Sequence, residues 1–330
     1  MSDVQDYEKY AYPLGHAKAR ETRLIPKKHM LEFASLDSLS ALLKGLEDTD
    51  YGPFLTKARE SGNYEEAIEK AFAAELDDLI KVIGPTKSWV VEIFRIKYNL
   101  NNFKILFKSK FAGKEQASFS FFGTISPKKL NSILSFPVDD MIKQINEPYR
   151  SILEKAMATY KGDTRIFDYV VDNEMFAYII NIIPDGLEGS FFREYFSLEI
   201  NIYNLVTYLR LKREGKENSF SDFMISGGSL RKERIENLEL AGTACGRLWD
   251  NVKDEYESTG SLTKLERLAK AHMMRFVYEK SILRPFAPES VAAYALLKEQ
   301  EALNIRLLLG LKAKQVPAKL AKELIGEEYA

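Results

Sequence analysis

Cysteine and histidine are nearly absent from this 330-residue chain, which has one of the first and three of the second. A lone Cys245 cannot form an internal disulfide, which fits a reducing compartment. It reads as a small core residue. His16, His29 and His272 do not stand three or four positions from one another or from the cysteine, so zinc-ligand spacing is missing and no metal is expected. Charge of one sign is also scarce, with 47 Lys and Arg against 48 Asp and Glu. That balance offers no basic excess for a phosphate backbone, and nucleic acid is not expected as a partner.

Long apolar runs are missing too. None approaches the ~18 residues of a spanning helix, so no direct membrane span is expected. Met1 to Glu8 is acidic and polar with no apolar segment behind it, unlike a secretory signal. The expectation is a cytoplasmic chain that reaches a membrane only by holding something in it.

Catalytic motifs are missing as well. Ser226-Gly-Gly-Ser229 is the one glycine-rich loop, and it lacks the Gly-Lys-Ser/Thr ending that places a lysine and a hydroxyl on phosphates. It reads as a linker. Asp77-Asp78, Asp139-Asp140, Glu299 with Glu301 and Glu327-Glu328 pair carboxylates, but all fit solvated helix faces or caps. No catalytic constellation and no cofactor site emerge, and the chain is not expected to be an enzyme.

What is present is a helical grammar. Hydrophobic residues make up 45% of the chain and charged ones 29%, enough for a substantial core without disorder. Pattern and punctuation predict helices over about 15–24 (entered at Tyr12-Pro13), 27–33, 37–46 (capped by Ser35 or Asp37), 64–83 and 89–111, with a break at Gly84-Pro85. Strand signals are weak, only Ser118-Phe-Ser-Phe-Phe122 alternating briefly. The chain reads as all-α.

The grammar repeats. Asn102-Phe-Lys-Ile-Leu-Phe-Lys-Ser-Lys110, Asn204-Leu-Val-Thr-Tyr-Leu-Arg-Leu-Lys212 and Asn304-Ile-Arg-Leu-Leu-Leu-Gly-Leu-Lys312 align without a gap, their asparagines 102 and 100 positions apart. Gly62, Gly162 and Gly260 follow at separations of 100 and 98. Ile25-Pro26 is echoed by Ile125-Ser-Pro127 and more loosely by Ile225-Ser-Gly. Gly84-Pro85 is echoed by Pro184-Asp-Gly186 and by Leu283-Arg-Pro285. A length prior of about 150 residues per domain suggests two domains. The repeat argues for three, over 1–123, 124–224 and 225–330, each with a small core of its own. Asn102, Asn204 and Asn304 are expected to fix register where helices cross. Lys110, Lys212 and Lys312 should suit the negative ends of their helices. The sharper alternative has these residues, with Arg306, lining one surface that grips a partner.

Tyr10-Ala-Tyr12, Ala17-Lys-Ala-Arg20-Glu-Thr-Arg23-Leu-Ile25 and Leu46-Glu-Asp-Thr-Asp-Tyr51 come early in the chain. Tyr294, Lys298-Glu299, Glu301, Asn304-Ile-Arg306 and Gly310-Leu-Lys312 come late. In their order and spacing they resemble the C subunit of the A/V-type ATP synthases, whose V-type ATPase counterpart is the d subunit, over essentially the whole length. The resemblance implies a pseudo-threefold funnel of three similar helical domains without enzymatic activity. It also implies a central-stalk rotor subunit, monomeric within its complex and peripheral at the cytoplasmic face of the membrane. Such a protein would join the shaft of the soluble ATPase sector to the membrane rotor ring and couple ATP turnover to ion movement. The alternative is an unrelated helical-repeat adaptor that scaffolds another cytoplasmic complex. Two departures from the family stand out. Pro13 lies where the first helix usually runs on, which implies a later start. Ala313-Lys-Gln315 replaces the glycine that often follows the last lysine.

Overall fold

A computed structural model describes residues 10–235, 237–238, 241–242, 245, 248–283 and 287–328. All regular structure among them is helical, with no strand. The first helices are α1 (Ala11–Glu21), α2 (Lys27–Ser35), α3 (Leu39–Gly45), α4 (Gly52–Lys57), α5 (Tyr64–Ile83) and α6 (Trp89–Phe111). Then come α7 (Pro127–Leu134), α8 (Val138–Lys143), α9 (Tyr149–Thr159), α10 (Thr164–Ile182) and α11 (Leu187–Arg213). The chain ends with α12 (Lys232–Ile235), α13 (Lys253–Thr259), α14 (Thr263–Leu283), α15 (Pro288–Ala313) and α16 (Ala318–Glu328). A set of short helices followed by two long ones thus occurs three times. The long pairs are α5–α6, α10–α11 and α14–α15, and each second member carries the Asn-to-Lys signature.

The predicted breaks lie at the glycines. Gly84 and Gly186 take φ of 80° and 82°, and Gly62, Gly162 and Gly260 take 71°, 94° and 68°. Only glycine adopts these angles without strain. The third break, at Leu283-Arg-Pro285, lies at the edge of and beyond the described residues.

Three local expectations are corrected. Pro13 does not delay α1, which begins at Ala11 and carries the proline in its first turn. The first N–H groups of a helix have no intrahelical acceptor, so the missing donor costs nothing there. The cap of α3 is Ser38 rather than Ser35 or Asp37, its Oγ accepting from the Ala41 N–H at 3.1 Å. The alternating segment Ser118–Phe122 is an irregular connection. Glu69 of α5 takes up its polar groups by accepting from the Ser120 hydroxyl and the Phe121 N–H. Phe122 packs edge-on against Phe72.

The chain divides into two compact units. Unit 1 contains Met1–Arg95, Ser120–Thr124 and Val277–Ala330, and unit 2 contains Ile96–Phe119 and Ile125–Phe276. In unit 1, α15 packs against α1, α3 and α5, and α16 packs against α2. In unit 2, α10 lies between α9 and α11. Two aromatic-rich clusters anchor unit 2. Phe107, Phe111, Tyr160 and Phe167 form one, with Phe111 and Tyr160 stacked at 4.2 Å. The other surrounds Trp249 and includes Leu205, Leu209, Phe220, Leu265 and the buried Cys245.

Candidate functional site: the signature helices and their partners

Asn102, Asn204 and Asn304 are all buried, but the amides of Asn204 and Asn304 are used differently. Asn204 pairs with one residue in both directions: its Oδ1 accepts from the Ile225 N–H at 2.9 Å and its Nδ2 donates to the Ile225 carbonyl at 2.8 Å. This imitates a strand ladder and ties the linker before α12 to α11. Asn304 accepts from Gln300 one turn earlier on the same helix at 2.9 Å, and its own Nδ2 finds no acceptor among the described residues.

The residue three positions before each asparagine also reaches out. Asn99 donates to the Tyr149 hydroxyl at 2.6 Å. Asn201 accepts from the Leu230 N–H at 2.9 Å and donates to the Ser229 hydroxyl at 2.8 Å. The second glycine of the Ser226–Ser229 loop follows from this contact, and the first, Gly227, from a φ of 104° beside Ile180. A Cβ on Gly228 would stand 2.4 Å from Asn201 Oδ1, so the backbone can approach only without one. Glu301 holds the third such position. Its carboxylate accepts from the Ile25 N–H, from the Tyr51 hydroxyl at 2.9 Å and from Lys298 Nζ at 2.7 Å. Lys298 also reaches Asp50 at 3.1 Å and sits 4.6 Å from the Tyr51 ring centre.

Cations on the signature helices meet acids on the next long helix. In unit 2, Lys104 pairs with Asp172 at 2.7 Å, Lys108 with Asp168 at 2.9 Å, and Arg210 with Glu266. In unit 1, Arg306 pairs with Glu69 at 2.6 Å, with Glu65 at 3.6 Å and the Phe122 ring nearby. The signature lysines serve helix ends. Lys110 donates to the carbonyl of Leu134, the last residue of α7, at 3.1 Å, and Lys312 donates to that of Ala34 near the end of α2 at 2.8 Å. C-terminal carbonyls have no intrahelical donor and favour positive charge. Lys212 differs, being exposed.

The bonds of α6 and α11 described above reach elements that follow them in sequence, whereas α15 packs with α1, α3 and α5 of the chain's beginning. Glu301, Tyr51, Lys298, Tyr294 and Arg20, which carry the family resemblance, thereby come together in unit 1. Tyr294 donates to Glu75 at 2.8 Å, and Glu75 pairs with Arg20. The sequence marks these residues but joins none of them. The early pair, Arg20 and Tyr51, is separated from the late group by about 250 positions, as between Tyr51 and Glu301, and hydrophobic periodicity carries no information over such a distance.

The electrostatics oppose proton transfer at neutral pH. Burial, and secondarily the charge of Glu301, holds the Tyr51 phenol well above its ordinary value. Burial and Glu75 do the same to Tyr294, and burial and Asp172 to Tyr203. All three stay protonated hydrogen-bond donors to carboxylates. A cleft of about 820 Å³ in unit 1, with Arg20, Arg23, His29, Asp48, Asp50 and Glu75 in its walls, carries both signs of charge. Among the described residues no three potential metal ligands cluster, and no helix is long and apolar enough to cross a membrane. The arrangement fastens helices to one another.

Comparison with known proteins agrees with the resemblance. The family model for the ATP synthase (C/AC39) subunit matches residues 14–324. The A-type ATP synthase C subunit of Methanocaldococcus jannaschii is 25% identical, over 98% of this chain and 87% of the relative. The protein of the same name from Desulfurococcus sp. is 23% identical over 98% and 92%, and that of Thermococcus gammatolerans 25% over 99% and 92%. With a matched region that takes in every signature helix and both ends of unit 1, the chain belongs to the ATP synthase (C/AC39) subunit family.

Proposed function

We propose that this chain is the central-stalk rotor subunit of an A/V-type rotary ATPase or ATP synthase. It joins the shaft of the soluble sector to the membrane rotor ring and couples ATP synthesis or hydrolysis to ion transport. It does so without chemistry of its own, as a monomer within the complex, at the cytoplasmic face of the membrane. The observation that carries this reading is the alignment with relatives named as the C subunit of A-type ATP synthases, over almost the full length of both proteins.

The physical form is compatible. A coupling element has to be stiff, and packed helices tied by buried polar contacts supply stiffness. The pseudo-threefold arrangement of three repeats, over 1–123, 124–224 and 225–330, belongs to this reading through the family resemblance, and the recurring order of short and long helices is compatible with it. In that arrangement Asn102 and Asn204 hold register, Asn304 bonds within its own helix, and Lys110, Lys312 and Arg306 are internal fasteners. Lys212, which faces solvent, is left for a partner protein of the complex.

An affinity pull-down of the tagged chain from gently solubilised native membranes tests this. Mass spectrometry should find the catalytic, shaft and ring subunits of a rotary ATPase, and the purified chain alone should hydrolyse no ATP. If those subunits are absent from a preparation in which the intact ATPase survives, the rotor reading fails and a helical-repeat adaptor of another complex replaces it.

A further inference from the structure

We propose that α15 and α16 form a strap that closes unit 1, with the Lys298–Glu301 pair as its latch. Unit 1 then opens and closes as one body made from the two ends of the chain. Helix α15 is buried along nearly its whole length, from Pro288 to Lys312, polar positions included. No position of it before Ala313 is exposed, and even its outer stripe, with Leu303, Arg306, Leu307 and Gly310, is half-buried, so it serves as a core element and not a surface brace. Its neighbours α1, α3 and α5 come from the first 83 residues, as does α2, the partner of α16. Those N-terminal helices are short or amphipathic. The side chains they bury, Tyr10, Ala17, Leu42, Tyr51 and Phe72 among them, belong to a core whose central helix is near the far end of the sequence.

The latch is polar and directional. Glu301 takes the Ile25 N–H, in the connection between α1 and α2, and the Tyr51 hydroxyl, at the start of α4. Lys298 neutralises Glu301 and reaches Asp50 beside that tyrosine. These contacts span 276, 250 and 248 positions of sequence. Both latch side chains are almost fully buried, with exposures of 3% and 2%. A charge held there needs its partner in place, so a half-open state is penalised and opening is all-or-none. At the edge of the strap, Lys312 reaches the Ala34 carbonyl and Arg306 reaches Glu69, so further fasteners act in the same direction.

Native-state hydrogen exchange on the full chain, with and without Glu301→Gln, decides the matter. The substitution keeps the size of the side chain and removes the nearer and more buried of the two charges that Lys298 pairs with. Slowly exchanging amides of α1–α5 and of α15–α16 should report one common opening with one denaturant dependence. Glu301→Gln should accelerate both groups at least tenfold and by the same factor, while the slow amides around Trp249 in unit 2 keep their rates. Acceleration restricted to the neighbours of residue 301 overturns the proposal. So do separate openings for the two groups, or equal acceleration in both units. If the glutamine variant does not fold, Tyr51→Phe, which removes one hydroxyl and leaves the ring under Lys298, is read by the same criteria with a smaller common factor.

Discussion

An asparagine eight positions before a lysine recurs three times, yet the tertiary surroundings decide what each copy does. Asn204 satisfies both backbone groups of Ile225. Asn204→Leu strands a buried N–H and a buried carbonyl, at a cost of about 2–6 kcal/mol since each such group is worth roughly 1–3. Asn304 carries a donor with no acceptor among the described residues, so Asn304→Leu removes an unsatisfied group and should cost less than about 1 kcal/mol. Denaturant unfolding midpoints of the two variants check the order; equal losses would contradict it. Glu301→Ala is also a severe case, because it leaves the buried Lys298 with Asp50 alone at 3.1 Å and takes the acceptor from the Ile25 N–H and the Tyr51 hydroxyl. A loss of about 3–5 kcal/mol is expected from broken buried pairs, against about 1 kcal/mol for Tyr51→Phe, again read as unfolding midpoints. The asparagines are visible in the sequence as spacing. The partnership of Glu301 with Tyr51 is not, since nothing local marks a pair 250 positions apart.

Among the elements, the ends of the signature helices are the most uniform feature. Three residues after Lys110, Lys212 and Lys312 stand Gly113, Gly215 and Gln315, with φ of 68°, 67° and 56°. Each following N–H bonds back to a carbonyl five positions upstream: Lys114 to Ser109, Lys216 to Leu211 and Val316 to Leu311, all at 2.9 Å. This is the left-handed cap in which glycine is favoured. The departure at Ala313-Lys-Gln315 therefore changes the residue and not the turn, and glutamine accepts the strain. Left-handed backbone disfavours a side chain by about 1–2 kcal/mol, partly offset by the entropy glycine loses on folding. Gln315→Gly should therefore stabilise by about 0.5 kcal/mol and Gly215→Ala destabilise by about 1 kcal/mol. Thermal unfolding of the two variants should move in opposite directions. The long helices 64–83 and 89–111 are legible to the residue, because glycine and proline punctuate them and their apolar periodicity is long. The Phe-rich segment 118–122 is ambiguous because its polar groups are satisfied by Glu69, a distant acceptor.

For the molecule as a whole, the buried phenols set an alkaline limit. Tyr51, Tyr203 and Tyr294 are held above the ordinary phenol value of 10.0 by burial and adjacent carboxylates. In the unfolded chain they lose protons near that value. The stability they contribute is therefore complete below about pH 10 and falls as pH rises towards their folded values, since deprotonation then favours the unfolded state. Tyrosinate absorbance should show these residues titrating only together with the loss of helical circular dichroism; ionisation in a still-folded chain would refute it. Neutral and mildly acidic pH should leave this contribution untouched. Burial likewise pushes the Cys245 thiol up to about 12. With so little thiolate at neutral pH, it should resist alkylation until the chain unfolds, as mass spectrometry of labelled protein would read.

The sequence by itself determined the helical class, the positions of the breaks, the threefold grammar and the family. All of these rest on local periodicity, on backbone angles that glycine permits, or on order along the chain. Only the tertiary structure decided which helices complete one another. It decided that α15 serves the beginning of the chain, that Asn204 and Asn304 have different partners, and that Lys298, Glu301, Tyr51 and Ile25 form one buried cluster. Those facts depend on contacts that no local pattern marks, 21 positions apart for Asn204 and Ile225 and 250 for Tyr51 and Glu301. Their free energy comes from shared burial and mutual hydrogen bonding, which no stretch of sequence possesses alone.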